Sequence, residues 1–421
     1  MGFQTGLSGL NAAAKNIDVI GNNVANANTV GFKGSRAVFA DVYASSLAGA
    51  GSSNIGIGTK VAAVQQEFTQ GNVSVSNNPL DMAINGRGFF RLESGGTISY
   101  SRNGQMHLDA NGYIVNSDNL RLTGYGVDAA GSIVTAQPAP IRLATSDISP
   151  RATGRVAATL NLDSRSSPIA LAFNPSNPAT YTSSTSSAIY DSLGNSHALT
   201  MYFTKMPPSV PPAAPVPPGQ WSVQATIDGG PVAEVDLGNG AGNPVVLNFN
   251  SSGAMTTIQP FPGVSLTFAN GAATPQAMDV DFTGSTQFGS DFGVTALAQD
   301  GFASGRLVGF DVDETGIVAG RYTNGQSTQL GQVVLANFSN MQGLRSKGDN
   351  LWEETTASGA AIIGAPLSGS LGSMQSAAVE DSNVDLTQEL VSMITAQRVY
   401  QANAQTIKTQ DQVLQTIVNL R

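Results

Sequence analysis

The chain of 421 residues carries 20 Lys and Arg against 29 Asp and Glu, a formal net charge of −9, with only 12% of its residues charged. A phosphate backbone is met by clusters of Lys and Arg, and none occurs here, which excludes nucleic acid as a partner. There is no cysteine, so disulfides and thiolate metal sites are ruled out, and the 47 glycines favour short strands joined by tight turns.

The first element is helical. Phe3, Leu7, Leu10, Ala14, Ile17, Gly21, Val24 and Asn28 step by alternating fours and threes, which puts them on one helix face. Asn22, Asn23, Asn26 and Asn28 then crowd the approach to Gly31, and because Asn competes locally for backbone hydrogen bonds the helix is expected to end between Val24 and Gly31. Gly49 to Thr59 reads as a Gly/Ser-rich connector with little to pack.

From Val73 onward the period becomes two, punctuated by turns. Asp109 to Gly112, Asp128 to Gly131 and Asp313 to Gly316 each place Asp first and Gly fourth ahead of an Ile or Val, which suits a hairpin reversal. Asn103-Gly104 and Asn324-Gly325 add two more hairpin candidates. The third Asp-Gly turn lies far downstream of the first two, which predicts one β domain interrupted by an insertion. That insertion, about Thr145 to Ala298, contains strand-like runs at Ala198 to Phe203 and Trp221 to Ile227, and a stiff polyproline stretch from Pro207 to Pro218.

At the far end the helical rhythm returns. Leu386, Leu390, Met393, Gln397, Tyr400, Ala404, Ile407, Asp411, Leu414 and Val418 keep the same spacing, with Val391, Ile394 and Ile417 widening the stripe. The expected fold class is therefore mixed: a terminal α-helical coiled-coil pair with two nested, antiparallel β-rich domains built from discontinuous stretches. The expected domains are 1–32 with 383–421 (helical), 33–72 with 358–382 (connector), 73–145 with 299–357 (first β domain) and 146–298 (outer inserted β domain).

No catalytic constellation is visible. His107 and His197 are the only histidines, fall in different expected domains and read as structural or surface residues. Gly51 to Lys60 fails as a phosphate loop because Lys60 is followed by Val61. Asp109 and Asn111 lack the further oxygen ligands of a calcium loop. The chain is read as a non-enzyme with no cofactor and no metal. No stretch is apolar enough to span a bilayer or to act as a secretory signal, so it is expected to be soluble and, if it leaves the cell, to do so without a cleaved signal.

The segment from Gly21 to Lys33, with Asn22, Asn23, Asn26, Thr29, Gly31 and Phe32, resembles the signature that opens the flagellar rod and hook proteins. Asp81 to Phe90, Tyr100 to Asp109 and Leu122 to Tyr125 are similar to the first β-domain motifs of that family, and Ser382 to Asp411 to its C-terminal helix. Among members, the length and the large insertion are most similar to the hook type; the distal rod type is shorter, and a β-rich surface adhesin is the alternative from another class. The resemblance implies a self-assembling helical homopolymer, a curved tube acting as a universal joint between rod and filament, located outside the cell. It also implies the distal rod protein, the hook cap, the hook-filament junction protein, the hook-length ruler and the flagellar type III export apparatus as partners. The assembly helices would use Phe3, Leu7, Leu10, Ile17, Val24, Leu386, Leu390, Met393, Tyr400, Ile407, Leu414 and Val418, and the loop Asn22 to Phe32 would fix the angle between helix and β domain.

Overall fold

A computed structural model of the chain describes residues 2–42, 56–128, 131–144, 146–207 and 219–419, with side chains described from 3 to 416 within them. The polyproline stretch from 208 onward and Val418's side chain lie outside the described residues. The chain is mostly β, with one long helix near each end: α1 (Gly2–Ala25) and α2 (Leu386–Asn419). It divides into two compact units, one made of Met1–Thr145, Val308–Arg321 and Ser327–Arg421, the other of Ser146–Leu307 and Tyr322–Gln326.

In the first unit α1 and α2 run antiparallel, with Gly6 beside Ile407, Gly9 beside Asn403 and Asn23 hydrogen-bonded to Glu389. The chain leaves α1 into an antiparallel hairpin, Ser35–Val42 with Gly58–Gln66, that packs on α1. This hairpin occupies part of the expected connector. Its second strand begins at Gly58, where an added Cβ would lie 2.0 Å from Ser8 Oγ, so the end of the Gly/Ser-rich run packs closely on the helix.

The β body of this unit has, among the described residues, a 13-stranded sheet that includes Phe89–Ser94, Thr97–Ser101, Arg121–Val127 and Leu335–Asn337. Met82, Ile84, Phe90, Leu92, Leu122, Val318, Val333 and Leu335 form one buried cluster. Phe89, Tyr100, Phe338 and Trp352 form another, their rings meeting edge to face at 4.8–6.0 Å. Two short ladders, Val73–Val75 with Ala378–Glu380 and Met82–Asn85 with Ser373–Ser376, join the start of the β body to the strands just before α2.

The three Asp-Gly turns close hairpins, each with the Gly N–H donating to the Asp carbonyl at 3.0 Å. Asn103-Gly104 does not. The hairpin joining Phe89–Ser94 to Thr97–Ser101 turns instead at Gly95-Gly96, both at positive φ (56° and 84°), as a two-residue reversal with right-handed strand twist demands. Gly104 is used for close approach: a Cβ there would lie 1.7 Å from the Met82 carbonyl oxygen.

The second unit is a sandwich. A four-stranded antiparallel sheet orders Ser183–Tyr190, Ser196–Lys205, Gln220–Ile227 and Val245–Asn248. A five-stranded sheet orders Val235–Asp236, Phe261–Leu266, Gln276–Asp281, Arg155–Asn161 and Gly293–Gln299, with one parallel pair, Arg155–Asn161 beside Gln276–Asp281. Their inward residues, among them Leu160, Ile189, Leu199, Phe203, Trp221, Leu247, Val264, Met278 and Phe282, make one core.

Candidate assembly surface

Where α1 and α2 meet, glycines of α1 receive Asn403 and Ile407 of α2. On α1 the buried residues are Gly6, Ala12, Ala13, Ile20 and Asn23. Glycine permits the contact: a Cβ on Gly9 would sit 2.6 Å from Asn403 Oδ1, and one on Gly6 would sit 3.0 Å from Ile407 Cγ1. On α2 only Ala396 is buried among the described side chains, with Ser392, Met393, Asn403, Ala404 and Ile407 half-buried. The apolar stripe read from the sequence lies largely on the neighbouring flank. Phe3 is 46% exposed, Leu7 43%, Leu390 49% and Leu414 53%; Leu386 and Tyr400 are also exposed, and Leu10, Ile17 and Val24 are half-buried. Gln397 and Asp411, the polar interruptions of the stripe, are exposed.

A half-exposed Leu or Val retains roughly 1 kcal/mol of unrealised burial. Among the described side chains, two large apolar residues on α1 and eight on α2 are exposed and together hold on the order of 10 kcal/mol, comparable to the whole stability of a domain. An open groove of about 530 Å³ between α1, the hairpin and α2, lined by Ala12, Phe39, Val391 and Val399 among others, adds a second uncharged surface that includes none of Phe3, Leu7, Leu390 and Leu414.

The base of the helix pair is held firmly. α1 ends at Ala25 and the Asn-rich stretch turns on its own hydrogen bonds: Asn26 Nδ2 donates to the Asn22 carbonyl, and Thr29 Oγ1 to Asn26 Oδ1. Asn23 exchanges two bonds with the Ser35 backbone at 2.8 and 2.9 Å, locking the helix to the hairpin. Gly31 sits at φ +71°, its N–H donating to the Glu380 carbonyl, against the backbone of Arg102 and Asn103. Phe32 is half-buried and Asn22 exposed. Across from this loop, Asn383 accepts from the Gly34 N–H and donates to the Glu67 carbonyl. Asp385 caps α2 by accepting from the Thr387 and Gln388 N–H groups.

Beneath the loop lies a cluster that sequence reasoning did not find. Lys33 Nζ meets Glu380 Oε1 at 2.6 Å and Arg102 Nη1 meets Glu380 Oε2 at 3.0 Å, with both side chains of the first pair fully buried and Arg102 5% exposed. Lys33 also donates to the Thr69 carbonyl, the Gly71 N–H donates to Glu380, and Arg102 donates to the Ile84 and Gly86 carbonyls. Burial pushes the Lys33 ammonium and the Arg102 guanidinium below their ordinary pKa values, and Glu380 pulls both only part of the way back. The available signal was one Lys and one Arg inside two of the quoted motifs, in a chain poor in charge.

His107 is an exposed strand residue of the first unit, and His197 lies in the second. Among the described residues no group of three or more His, Asp or Glu is placed to hold a metal ion, and no helix is long and apolar enough to cross a membrane.

Four family models match along the chain: the flagella basal body rod protein over residues 3–33, the flagellar hook protein FlgE/F/G D1 domain over 83–158, the flagellar basal body protein FlaE D2 domain over 161–302, and the flagellar basal body rod FlgEFG protein C-terminal region over 375–420. The first and last coincide with the two helices and the loop and strand that brace them, which defines the class as a flagellar basal-body axial protein. The flagellar hook protein FlgE of Escherichia coli K12 is 40% identical over 430 residues, spanning 100% of both chains. That of Salmonella typhimurium LT2 is 40% identical over 431 residues with the same coverage, and that of Borreliella burgdorferi B31 is 32% identical over 453, covering 99% and 98%. The chain belongs to the flagellar hook protein FlgE family. In fold it is similar to the crystal structure of Helicobacter pylori flagellar hook protein FlgE2, with a TM-score of 0.53 over 72% of this chain and 99% of that one, at 14% identity.

Proposed function

We propose that this chain is the polymerising subunit of a flagellar hook, a curved helical tube that works as a universal joint and carries motor torque from rod to filament. The observation that carries the reading is the apolar flank on α1 and α2, left exposed while Gly6 and Gly9 of α1 join Ile407 and Asn403 of α2 within the chain. Helical growth needs heterologous contacts that do not close into a ring, and a helix pair braced at its base and apolar on its outer flank supplies one side of such a contact.

In this reading the helix pair acts as a short coiled coil lining the inner wall of the tube. The loop Asn22 to Phe32 sets the angle at which the pair leaves the β body. The tube stands outside the cell, delivered through the flagellar type III apparatus. It meets the distal rod protein at its base, the cap and length ruler during growth, and the junction protein at its far end. No step of this role calls on catalysis, a cofactor or a metal.

Ile407 is a poor place to test the interface, because it packs against Gly6 inside the chain. Leu7→Asp and Leu390→Asp change half-exposed residues, so the monomer is expected to lose only about 1–2 kcal/mol, while each places a charge at every subunit contact. Both variants are expected to stay monomeric under salt conditions in which the unaltered chain forms tubes in negative-stain micrographs. Normal tubes from both would overturn the assignment of this flank.

Bending requires neighbouring outer domains to slide. Between Ser146 and Ala298 there are four Lys and Arg against nine Asp and Glu, among many Ser, Thr and Asn, a surface suited to small wet contacts that exchange at little cost. Because the chain has no cysteine of its own, pairs of introduced cysteines on this unit can lock neighbours selectively. Oxidised hooks of this kind are expected to straighten and stiffen; unchanged curvature would place the joint elsewhere.

A further inference from the structure

The second unit contains a cluster that the assembly reading does not use. His197, on the strand Ser196–Lys205, places Nδ1 at 2.7 Å from Asp228 Oδ2 and Nε2 at 3.2 Å from Asp191 Oδ2. Its ring lies 4.5 Å from that of Phe268, and the side chain is 13% exposed. Asp191 is fully buried and opens a turn in which its Oδ1 accepts from the Leu193 and Asn195 N–H groups, while Asn195 Nδ2 and Asn270 Nδ2 both donate to Oδ2. Asp228 follows the strand Gln220–Ile227 and accepts from the Ala198 N–H through Oδ1.

Two loops of the four-stranded sheet thus meet at one imidazole. The loop of the five-stranded sheet that holds Phe268 and Asn270 joins them there.

An ionised carboxylate only accepts, and a neutral imidazole has one N–H and one lone pair. With a carboxylate oxygen at each ring nitrogen, only the imidazolium donates to both. A neutral ring that keeps its proton on Nδ1 holds Asp228 but turns the Nε2 lone pair toward Asp191 Oδ2 at 3.2 Å; the one donor beside it, Asn270 Nδ2 at 3.4 Å, is already committed to that carboxylate at 2.6 Å. We infer that His197 is a protonation-dependent pin at one end of the sandwich: as imidazolium it ties the Asp191 and Asp228 turns together beneath the Asn270 loop, and deprotonation gives up one of the two ties and loosens that end.

The electrostatics agree in sign. Burial works against the charged ring, but the hydrogen bonds and charges of Asp228 and Asp191 outweigh it and hold the His197 pKa above its ordinary value. Burial would raise both carboxyls, and it too is outweighed: by Asn195, Asn270 and His197 at Asp191, and by His197 and the Ala198 N–H at Asp228. These two aspartates are the titratable groups facing the ring, because the residues from the third loop, Phe268 and Asn270, are uncharged.

A raised histidine pKa stabilises the unit fully below the unfolded value of about 6.5 and loses that contribution as pH rises through the folded value. The depressed carboxyls contribute above about 3.9 and lose their contribution as pH falls through their folded values. The pin is therefore strongest in mildly acidic solution and slackens on the alkaline side.

The full-length monomer tests this. With two histidines in the chain, His197→Gln assigns the imidazole proton signals directly. The His197 midpoint is expected above 6.5 or so, and Asp228→Asn is expected to move it down. In a Trp352→Phe background, Trp221 reports unfolding of the second unit alone. Its unfolding constant is expected to rise as pH passes the His197 midpoint, about tenfold for each unit by which the midpoint is elevated, and His197→Gln is expected to abolish that step. A midpoint at or below the ordinary value, or an unchanged step in His197→Gln, would overturn the pin. Should His197→Gln fail to fold, the midpoint shift in Asp228→Asn decides it alone.

Discussion

Replacing Glu380 by Gln is expected to lower the stability of the first unit by about 3–5 kcal/mol, the usual cost of leaving a buried charge unpaired. The substitution is nearly isosteric, so no cavity forms. What changes is that Lys33 and Arg102, one fully buried and the other 5% exposed, then face an uncharged amide. Their remaining partners are the carbonyls of Thr69, Ile84 and Gly86, which satisfy donors but neutralise nothing. The measurement is chemical denaturation followed by Trp352 in a Trp221→Phe background, because Trp352 is buried in the first unit. A loss below about 1 kcal/mol, the range of an exposed ion pair, would show that the cluster is not the anchor its burial indicates. The functional consequence is local. Glu380 immediately precedes the segment leading to α2, and Lys33 immediately follows the loop from α1, so the cluster sets where both helices leave the β body.

Gly31→Ala is the second large effect, expected to cost about 3 kcal/mol. Two terms add. The backbone is left-handed at φ +71°, which costs a residue with Cβ roughly 1–2 kcal/mol. The new methyl would also stand 2.5 Å from the Asn103 nitrogen and 2.7 Å from the Arg102 carbonyl carbon. Those are backbone atoms, which cannot rotate away, and overpacking of this kind costs about 1–3 kcal/mol. Moving Arg102 would also disturb the ion cluster, so Gly31→Ala and Glu380→Gln are expected to be less than additive when combined. Gly359→Ala, in the same unit, is the control: it shares a positive φ (75°) but has no atom within 4 Å of the added Cβ. Equal losses at the two glycines would show that close approach contributes nothing at Gly31.

The helices and turns were legible because they obey local rules. A 3.6-residue apolar period marks α1 and α2, and Asp with Gly three residues on marks the hairpin turns at Asp109, Asp128 and Asp313. The same rules misread Asn103-Gly104, where glycine serves contact with the Met82 carbonyl, and passed over Gly95-Gly96. Periodicity also favours the largest side chains. It therefore picked out the flank of Phe3 and Leu7, while the partner inside the chain is chosen by the smallest residues, Gly6, Gly9 and Ala13, whose value lies in how closely a second helix can approach. The Lys33, Arg102 and Glu380 cluster was out of reach for another reason. Its members stand 347 and 278 positions apart, and charge pairing at such separation leaves no local pattern. The His197 pin likewise joins residues from three loops, and sequence alone gives only a histidine near a strand edge.

The proposed contact between subunits is the apolar flank of the helix pair. Electron cryo-microscopy of the reassembled polymer at side-chain resolution tests it most directly. The expected map places α1 and α2 at the inner wall, with Phe3, Leu7, Leu390 and Leu414 buried against a neighbouring copy and the Gly6 and Gly9 contacts to α2 kept. A map in which that flank faces the open channel or the outer solvent, with subunits joined through the β units alone, would contradict it.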